Sequence, residues 1–331
     1  MPLYVKVPKK QAQQVRDELS EKGMLNFDYE FIKKNEYLLI PVNERVKGFE
    51  IVEFKAEKRV LKPRTLKKAL KGVLSEKELI LVPKRFDLIG KVAVLDIPDA
   101  IKHRSKDIAE TLIRINPTIV TVCRETGLTE GTFRLKPVEV ILGERTVTEY
   151  IESGVRMRLD VSSVYFTPRL SSERLRIARE VKGAERVLVM FAGVGPYALL
   201  IAKKQPKAEI VGVEINPKAV GYMKENVELN KMKDRIQVYE GNVREIVPKL
   251  GKFDRILMPL PKDAGEFLDV TKKAIKKGGI IHFYSFSDRE DPFTSPIQRI
   301  REVFPKARIT YKGIVGNISP GRVRVVIDFK T

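Results

Sequence analysis

The sequence predicts an α/β protein with a mostly parallel sheet in its second half and two smaller α/β domains before it. Apolar strand-like segments alternate with helical segments through the second half, which is typical of a parallel sheet. The first half holds two separate groups of strands and helices with a basic, proline-containing stretch between them. We therefore expect a small N-terminal domain at 1–60, a basic linker at 61–74, a second α/β domain at 75–165 and a larger domain at 166–331.

The larger domain follows a regular order. Strands are predicted in the apolar segment where ERVL runs into VMFAGVGPY (189–197), and at 209–216, 235–240 and 254–262, with helices between them, and a late helix is predicted at 295–304. The segments ARITYKGIVGNI and RVRVVIDFK predict a closing antiparallel pair. Before these strands, SSERLRIAREV predicts a helix that Ser171 or Ser172 caps.

A Gly-x-Gly turn joins the first of these strands to its helix. In VMFAGVGPY (189–197), Gly193 and Gly195 carry no side chain that would keep a ligand away from the backbone, although a plain tight turn has the same letters. Glu214 ends the next strand, about 20 residues later, where a carboxylate can accept both ribose hydroxyls of an adenosine. Pro196 and the lack of a third Gly argue against a nicotinamide fingerprint, and the Gly-Lys-Ser/Thr of a P-loop is absent.

The next two strands end in residues that fit the same ligand site. Asn242 follows the third strand and offers a donor and an acceptor to an adenine edge. The fourth strand ends in Pro259, Leu260 and Pro261, over the crevice in which open α/β sheets bind ligands.

The net charge of the chain is +20 over 331 residues. Residues 166–331 hold 32 Lys and Arg against 19 Asp and Glu, so most of the excess lies on the larger domain with the predicted ligand site. Because basic surfaces release counterions from phosphates, this bias favours a nucleic acid partner over charge that serves solubility alone.

The number and spacing of cysteines and histidines argue against disulfides and metal sites. Cys123 is the single cysteine, so no disulfide forms within the chain, and His103 and His282 lack metal-ligand spacing and are expected to be structural. We therefore expect no metal. The sequence shows neither a membrane-spanning run nor a signal-peptide core, which predicts a cytoplasmic protein.

The order of strands, Gly turn and acidic strand end resembles the Rossmann-like S-adenosylmethionine-dependent methyltransferases. A second resemblance is more specific. YFTPRLSSER (165–174), RFDLIGKVAVLDIP (85–98), MFAGVGPY and KKGGIIHFYSF (276–286) are similar, in the same order, to motifs of the archaeal and eukaryotic tRNA (guanine-37, N1)-methyltransferases. The resemblance covers nearly the whole chain, including an N-terminal domain like that of archaeal members.

This resemblance implies roles for individual residues. Glu173 matches the general base that takes the proton of guanine N1, and Arg134 matches an arginine that steadies charge on the guanine carbonyl oxygen. Tyr165, Arg169 and the Pro259–Pro261 segment would contact the target nucleotide. The S-adenosylmethionine pocket would be lined by Arg174, Phe191, Gly193, Gly195, Pro196, Glu214, Ile215, Asn242, Val243 and Pro259. The partner would be tRNA, contacted at its anticodon loop and elbow by a monomeric enzyme.

Three residues depart from the family pattern. Val189 and Asn242 stand where the family has Asp, and Pro259 stands where it has Asn. Since proline has no side-chain donor and reshapes the pocket, Pro259 suggests the branch that methylates both guanosine and C7 of 4-demethylwyosine in wyosine biosynthesis.

Two other interpretations stay open. A related wyosine-pathway enzyme would transfer the aminocarboxypropyl group of the same cofactor, but Glu173 and Arg134 favour methyl transfer. A non-catalytic tRNA-binding module is supported by Val189 and opposed by Glu173, Gly193, Gly195 and Glu214.

Overall fold

The structure is a computed structural model that describes residues 1–58, 65–127, 133, 135, 137–262 and 264–331. The chain divides into two compact units, Met1–Ala69 and Leu70–Thr331. Among the described residues, no helix is both long enough and apolar enough to cross a bilayer.

The first unit is a small antiparallel sheet with one helix packed on it. Its strands have the order β2-β3-β1-β4. Val15 and Leu19 of the helix are buried against apolar strand residues such as Val5 and Ile40. The helix ends before Gly23, whose φ of 66° is left-handed. The elements are β1 (Leu3–Pro8), α1 (Ala12–Glu21), β2 (Ile32–Lys33), β3 (Tyr37–Val42), β4 (Ile51–Glu53) and α2 (Leu66–Ala69).

The second unit begins with a four-stranded sheet and a hairpin. The sheet has the order β5-β6-β7-β8, and β9 pairs with β10. The helix α4 buries Ile108, Ala109 and Leu112, one face at helical spacing. The elements are α3 (Glu76–Leu81), β5 (Asp87–Ile89), β6 (Val92–Leu95), α4 (Ser105–Ile115), β7 (Thr121–Glu125), β8 (Val138–Leu142), β9 (Val147–Glu152) and β10 (Val155–Asp160).

A seven-stranded sheet forms the rest of the second unit, in the order β13-β12-β11-β14-β15-β17-β16. The first five strands are parallel, and the closing pair is antiparallel as predicted. The elements are α5 (Ser171–Glu180), β11 (Arg186–Met190), α6 (Pro196–Lys204), β12 (Glu209–Glu214), α7 (Pro217–Leu229), β13 (Ile236–Glu240), α8 (Val243–Ile246), β14 (Phe253–Met258), α9 (Leu268–Ala274), β15 (Ile275–Asp288), α10 (Thr294–Val303), β16 (Arg308–Ser319) and β17 (Arg322–Lys330).

Helices pack on both faces of this sheet. Because both faces are buried, the central strands consist of continuous apolar runs in the sequence. In β11, Val187 and Val189 face one core cluster while Leu188 and Met190 face the other. The cluster with Val189 also contains residues of α5 and α6, and the opposite one contains residues of α9 and α10.

Asn226 of α7 and Asn230, the residue that follows this helix, hold the hairpin against the domain of the seven-stranded sheet. The fully buried Asn226 accepts a hydrogen bond from the backbone N–H of Arg158 at 2.7 Å and donates to the carbonyl oxygen of the same residue at 3.0 Å. Asn230 makes the same pair of bonds with Arg156. These contacts satisfy the outer edge of β10, which β9 leaves open.

The predicted serine cap of α5 is wrong. Ser171 is the first residue of the helix, and no side chain caps the preceding Leu170. A 3₁₀ turn that begins at Pro168 runs directly into α5, and Thr167 Oγ1 caps that turn by accepting from the N–H of Arg169 at 3.3 Å. The backbone is therefore already helical, in a 3₁₀ turn, before α5 begins.

Candidate active site

The carboxyl ends of β11, β12, β13 and β14 form one edge of the seven-stranded sheet. Strand order reverses between β11 and β14, since β12 and β13 lie on one side of β11 and β15 lies on the other. In open α/β sheets such a reversal opens a crevice where ligands bind. The segments that follow these strand ends all carry predicted site residues: 191–196, 214–215, 242–243 and 259–261.

The Gly turn leaves the backbone bare at this crevice. Gly193 has a φ of 56°, and a Cβ built on it would have Tyr165 O, at 3.9 Å, as its sole neighbour within 4 Å among the described residues. Gly195 has a φ of 89° and precedes Pro196, the first residue of α6. Phe191 also has a left-handed φ, 55°, and packs edge-on against Phe267 at 5.0 Å between centroids. Strained backbone of this kind concentrates at ligand sites.

Glu214 holds the Gly turn in place by a hydrogen bond to its backbone. Its Oε2 accepts from Gly193 N–H at 2.8 Å, and its Oε1 accepts from the N–H groups of Ile215 and Asn216 at 2.9 and 2.8 Å. A carboxylate has about four acceptor positions, so one remains for a ribose hydroxyl. The expectation that Glu214 accepts both hydroxyls therefore requires Gly193 N–H to be displaced.

One of the two hydrogen-bonding groups of the Asn242 side chain also has a partner within the protein. Its Oδ1 caps α8 by accepting from Arg244 N–H at 2.9 Å, while its amide nitrogen has no partner in the described part of the chain. The donor is thus the group it offers to an adenine edge. The neighbouring Val243 is buried, and Ile215 is half-buried beside Glu214.

Val189, which replaces an expected Asp, is fully buried in the apolar cluster between the sheet and α5 and α6. An unpaired carboxylate there would be costly. The hydrogen bond from Gly193 to Glu214 supplies a polar anchor for the Gly turn from the neighbouring strand instead.

Arg174 forms a buried ion pair. Its guanidinium, 2% exposed, donates to Glu152 of β9 at 2.8 and 2.6 Å and to the carbonyl oxygen of Thr167 at 3.2 Å. These bonds use three of its five N–H groups and join the hairpin to α5, and its place in the lining of the cofactor pocket stays a prediction.

Glu173 is 6% exposed and lies on the α5 side of the sheet. Its carboxylate accepts from Arg176 at 2.7 and 2.8 Å and from the hydroxyl of Tyr284 at 2.7 Å. Because Met258 and Phe283 are paired in neighbouring strands, Tyr284 lies level with Pro259, at the end of β14. This contact places Glu173 next to the crevice, under the segment predicted to shape the base pocket.

A buried polar network continues away from Glu173. Arg176 also donates to Asp328 at 2.6 Å, and His282 Nδ1 lies 2.7 Å from the same carboxylate. Arg255 donates to His282 Nε2 at 2.7 Å, which leaves the proton of a neutral imidazole on Nδ1. Burial would raise the pKa of Asp328, but its interactions with His282 and Arg176 hold it below its ordinary value.

Glu180, His282 and Asp328 have ligand atoms within 4.8 Å of one another. The guanidinium groups of Arg176 and Arg255 already occupy their carboxylate and imidazole atoms, so we read this cluster as an ion-pair network.

The predicted substrate residues lie at the surface. Arg169 is exposed and donates to Asp87 of β5 at 2.7 Å, which links the two family motifs 85–98 and 165–174. Tyr165 is 54% exposed, and its hydroxyl accepts from Arg324 at 3.4 Å. Pro259, Leu260 and Pro261 are half-buried, and Pro261 O accepts from Phe286 N–H at 3.0 Å. Arg134 lies outside the described residues, so its role stays a prediction.

Sequence reasoning missed several partners of these residues. They are Asp87, Glu152, Arg176, Tyr284 and Arg324. The alternation of His282, Tyr284 and Phe286 along one face of β15 was the available signal, since His282 and Tyr284 place polar groups in the run IIHFY (280–284).

The strand order, the bare Gly turn and the acidic strand end together define a Rossmann-like S-adenosylmethionine-dependent methyltransferase. The space beside Gly193, the remaining acceptor of Glu214 and the free amide of Asn242 fit this cofactor. The chain matches the TRM5/TYW2 methyltransferase domain over residues 148–311, the TYW2 N-terminal domain over 66–146 and the tRNA methyltransferase 5 N-terminal domain over 5–50. The chain belongs to the TRM5/TYW2 methyltransferase family.

Relatives cover the whole chain. The tRNA (guanine(37)-N(1))-methyltransferase Trm5b of Pyrococcus abyssi is 38% identical over 100% of this chain and 99% of its own length. Its crystal structure has a TM-score of 0.84, with 37% identity over 100% of this chain and 99% of that one. The structure of aTrm5 with tRNALeu has a TM-score of 0.79 and 31% identity over 99% of both chains. The tRNA 4-demethylwyosine(37)-methyltransferase Taw21 of Saccharolobus solfataricus is 33% identical over 75% of this chain and 94% of its own length.

We expect Gly195→Ala to weaken S-adenosylmethionine binding and to lower stability by about 1–2 kcal/mol from the left-handed backbone alone. The new Cβ would also lie 2.9 Å from Cγ of the fully buried Met223. Thermal unfolding and calorimetric titration with the cofactor measure both effects. Gly221→Ala in α7 is the control, because open space surrounds Gly221. Equal losses in the two variants would contradict the assignment.

Proposed function

We propose that this protein transfers the methyl group of S-adenosylmethionine to N1 of guanosine 37 in tRNA. The observation that carries the proposal is the position of Glu173, a buried carboxylate held by Tyr284 level with Pro259 at the crevice. The P. abyssi relative, similar over the full chain, is named for this reaction.

In this reaction, separate residues would bind the cofactor, accept the proton and stabilise the charge on the base. S-adenosylmethionine supplies an electrophilic methyl group when it is bound at the Gly turn, Glu214 and Asn242. The base attacks through N1, and Glu173 takes the N1 proton. General-base help of this kind contributes about 10²–10⁴-fold. Arg134 would steady the negative charge that builds on the guanine carbonyl oxygen.

Access to the base requires that guanosine 37 leave its stack, because a stacked base does not expose its edge to a methyl donor. Tyr165 and Arg169 are exposed beside the crevice, and Arg169 is tethered to Asp87 of the 75–165 domain. We propose that this domain and the 166–331 domain receive the flipped base together, with the linker at 61–74 joining them to the N-terminal domain.

The N-terminal domain at 1–60 would read the tRNA elbow. It carries an open groove of about 380 Å³ with a largely apolar floor and two cations at its rim. The Arg16 guanidinium lies 5.5 Å from the centroid of Phe31, and Lys33 lines the same groove. Stacking rings next to cations suit RNA, in which bases and phosphates are presented together.

Methyl transfer to two matched tRNAs tests the reaction and its range. One tRNA carries guanosine and the other 4-demethylwyosine at position 37, and product mass identifies the group transferred. We propose that the protein methylates N1 of the first and C7 of the second, as the similarity to Taw21 and the presence of Pro259 favour. Methylation of guanosine 37 alone would overturn the second activity, and an aminocarboxypropyl product would overturn methyl transfer itself.

Pro259→Asn tests the pocket directly. An asparagine at the end of β14 adds a side-chain donor and acceptor where proline has none. We expect the ratio of kcat/KM values, 4-demethylwyosine over guanosine, to fall by about 10-fold, equal to about 1.4 kcal/mol of discrimination. Leu260→Met is the control, since it changes the neighbouring side chain without adding a hydrogen-bonding amide. An unchanged ratio in Pro259→Asn would show that this residue does not select the base.

A further inference from the structure

We propose that Tyr284 is a positioning residue for Glu173, and that Tyr284 and Arg176 together leave Oε2 of Glu173 as the atom that accepts the guanine N1 proton. The inference rests on the proposed function and adds a residue and an atom to it.

The assignment of Oε2 follows from the acceptor positions of the carboxylate. Oε1 of Glu173 accepts from the Tyr284 hydroxyl at 2.7 Å and from Arg176 Nη2 at 2.7 Å. Oε2 accepts from Arg176 Nε at 2.8 Å and from no other donor in the described residues. A carboxylate offers about four acceptor positions, two on each oxygen. The remaining position is therefore on Oε2.

The direction of the phenolic hydrogen bonds is fixed by the same argument. An ionised carboxylate only accepts, so Tyr284 donates to Glu173. The hydroxyl of Tyr197, 3.3 Å away, then donates to Tyr284. Burial raises the pKa of Tyr284 well above its ordinary value, helped by the charges of Tyr197 and Glu173, and burial also raises the pKa of Tyr197. Both phenols therefore remain donors at neutral pH.

Three elements, α5, β15 and β17, orient Glu173. Arg176 lies one turn along α5 and is itself held by Glu180 and by Asp328 of β17, at 2.6 Å each. Tyr284 approaches from β15, whereas the longer contact from Tyr197 of α6, at 3.3 Å, reaches Tyr284 and not Glu173. The guanidinium fixes the plane of the carboxylate from one side, and Tyr284 fixes Oε1 from the other. A proton acceptor must be aimed within hydrogen-bond reach of its proton, so this arrangement can act on the rate.

Tyr284→Phe and Tyr197→Phe form a matched pair, because each removes one buried hydroxyl and only the first touches Glu173. We measure single-turnover methylation of guanosine 37 over a pH series, with enzyme in excess over tRNA and saturating cofactor, and the steady-state KM for tRNA in a separate titration. Tyr284→Phe should lower the rate by about 10–100-fold, the range expected for a hydrogen bond to a charged group. The KM for tRNA should not change, and the acid limb of the profile should move to higher pH, since a donor to the charged form is lost. Tyr197→Phe should stay within about 3-fold of wild type.

A double-substitution cycle distinguishes an effect of Tyr284 that acts through Glu173 from a general loss of structure. If Tyr284 acts through Glu173, adding Tyr284→Phe to Glu173→Gln should lower the rate by less than about 2-fold further. Equal rates and pH profiles for the two phenylalanine variants, with an active wild type, would overturn the inference and leave the proposed function standing. A full additive loss in the Glu173→Gln background would also overturn it. A wild-type protein that leaves N1 of guanosine 37 unmodified would overturn both.

Discussion

Replacing Glu173 with Gln should lower the rate of methyl transfer to guanosine 37 by about 10²–10⁴-fold, the usual contribution of a general base. The amide keeps the size of the side chain and can still accept hydrogen bonds from Arg176 and Tyr284, but it is a poor acceptor for a proton. Single-turnover methylation with labelled S-adenosylmethionine measures the rate. Calorimetry should show cofactor affinity close to wild type, because the Gly turn, Glu214 and Asn242 do not contact Glu173.

A structural role for Glu173 predicts a different result. Arg176 has three acidic partners, and in such a role Glu173 only balances its charge. Glu180→Gln is the matched control, since it removes another carboxylate bonded to Arg176, at 2.6 Å, from the same helix. Glu180 is more exposed, with 39% of its side chain accessible, and is the last residue of α5, whereas Glu173 is in its first turn.

The two variants separate the roles. If Glu173 takes the proton, Glu180→Gln should stay within about 3-fold of the wild-type rate while Glu173→Gln loses nearly all activity. Similar losses in both variants would mean that the Arg176 network, and not proton transfer, explains the importance of Glu173. Thermal unfolding of each variant shows how much of any loss comes from stability.

Local sequence patterns were sufficient for most of the fold. The apolar runs at 186–190 and 209–214 and the Gly turn between them are signals within one βαβ unit, and the structure has both strands. The closing strands at 308–319 and 322–330 were also predicted as an antiparallel pair. Such patterns work because burial on a strand or helix repeats at a fixed interval along the chain. The entry into α5 was missed because Pro168 begins a 3₁₀ turn whose cap, Thr167, lies outside the helix.

The partners of the site residues could not be predicted in the same way. Glu173 and Tyr284 are 111 residues apart, and Arg174 and Glu152 are 22 apart across two elements. Periodicity shows which face of an element is buried but not which buried polar groups meet. The motif around Arg174 therefore suggests a cofactor contact but does not reveal the ion pair that its guanidinium forms with Glu152.

Removing the charge of Glu152 should cost about 3–5 kcal/mol in the free energy of unfolding, because it leaves the guanidinium of Arg174 buried with an uncharged partner. The side chains of Arg174 and Glu152 are 2% and 6% exposed, and two hydrogen bonds of 2.8 and 2.6 Å join them. Glu152→Gln keeps the shape and removes the charge. Urea unfolding measures the change, with the m-value showing whether the transition stays cooperative.

The same hairpin supplies the control. Glu149 and Arg156 also form a two-bond pair, both at 2.8 Å, but their side chains are 35% and 52% exposed. Water screens that pair, so Glu149→Gln should cost no more than about 1 kcal/mol. Replacing both buried partners, with Glu152→Leu and Arg174→Met, should recover much of the loss because no buried charge is left unpaired. If Glu152→Gln and Glu149→Gln cost the same, or if the double replacement is worse than Glu152→Gln alone, the buried pair is not what fastens the hairpin to α5.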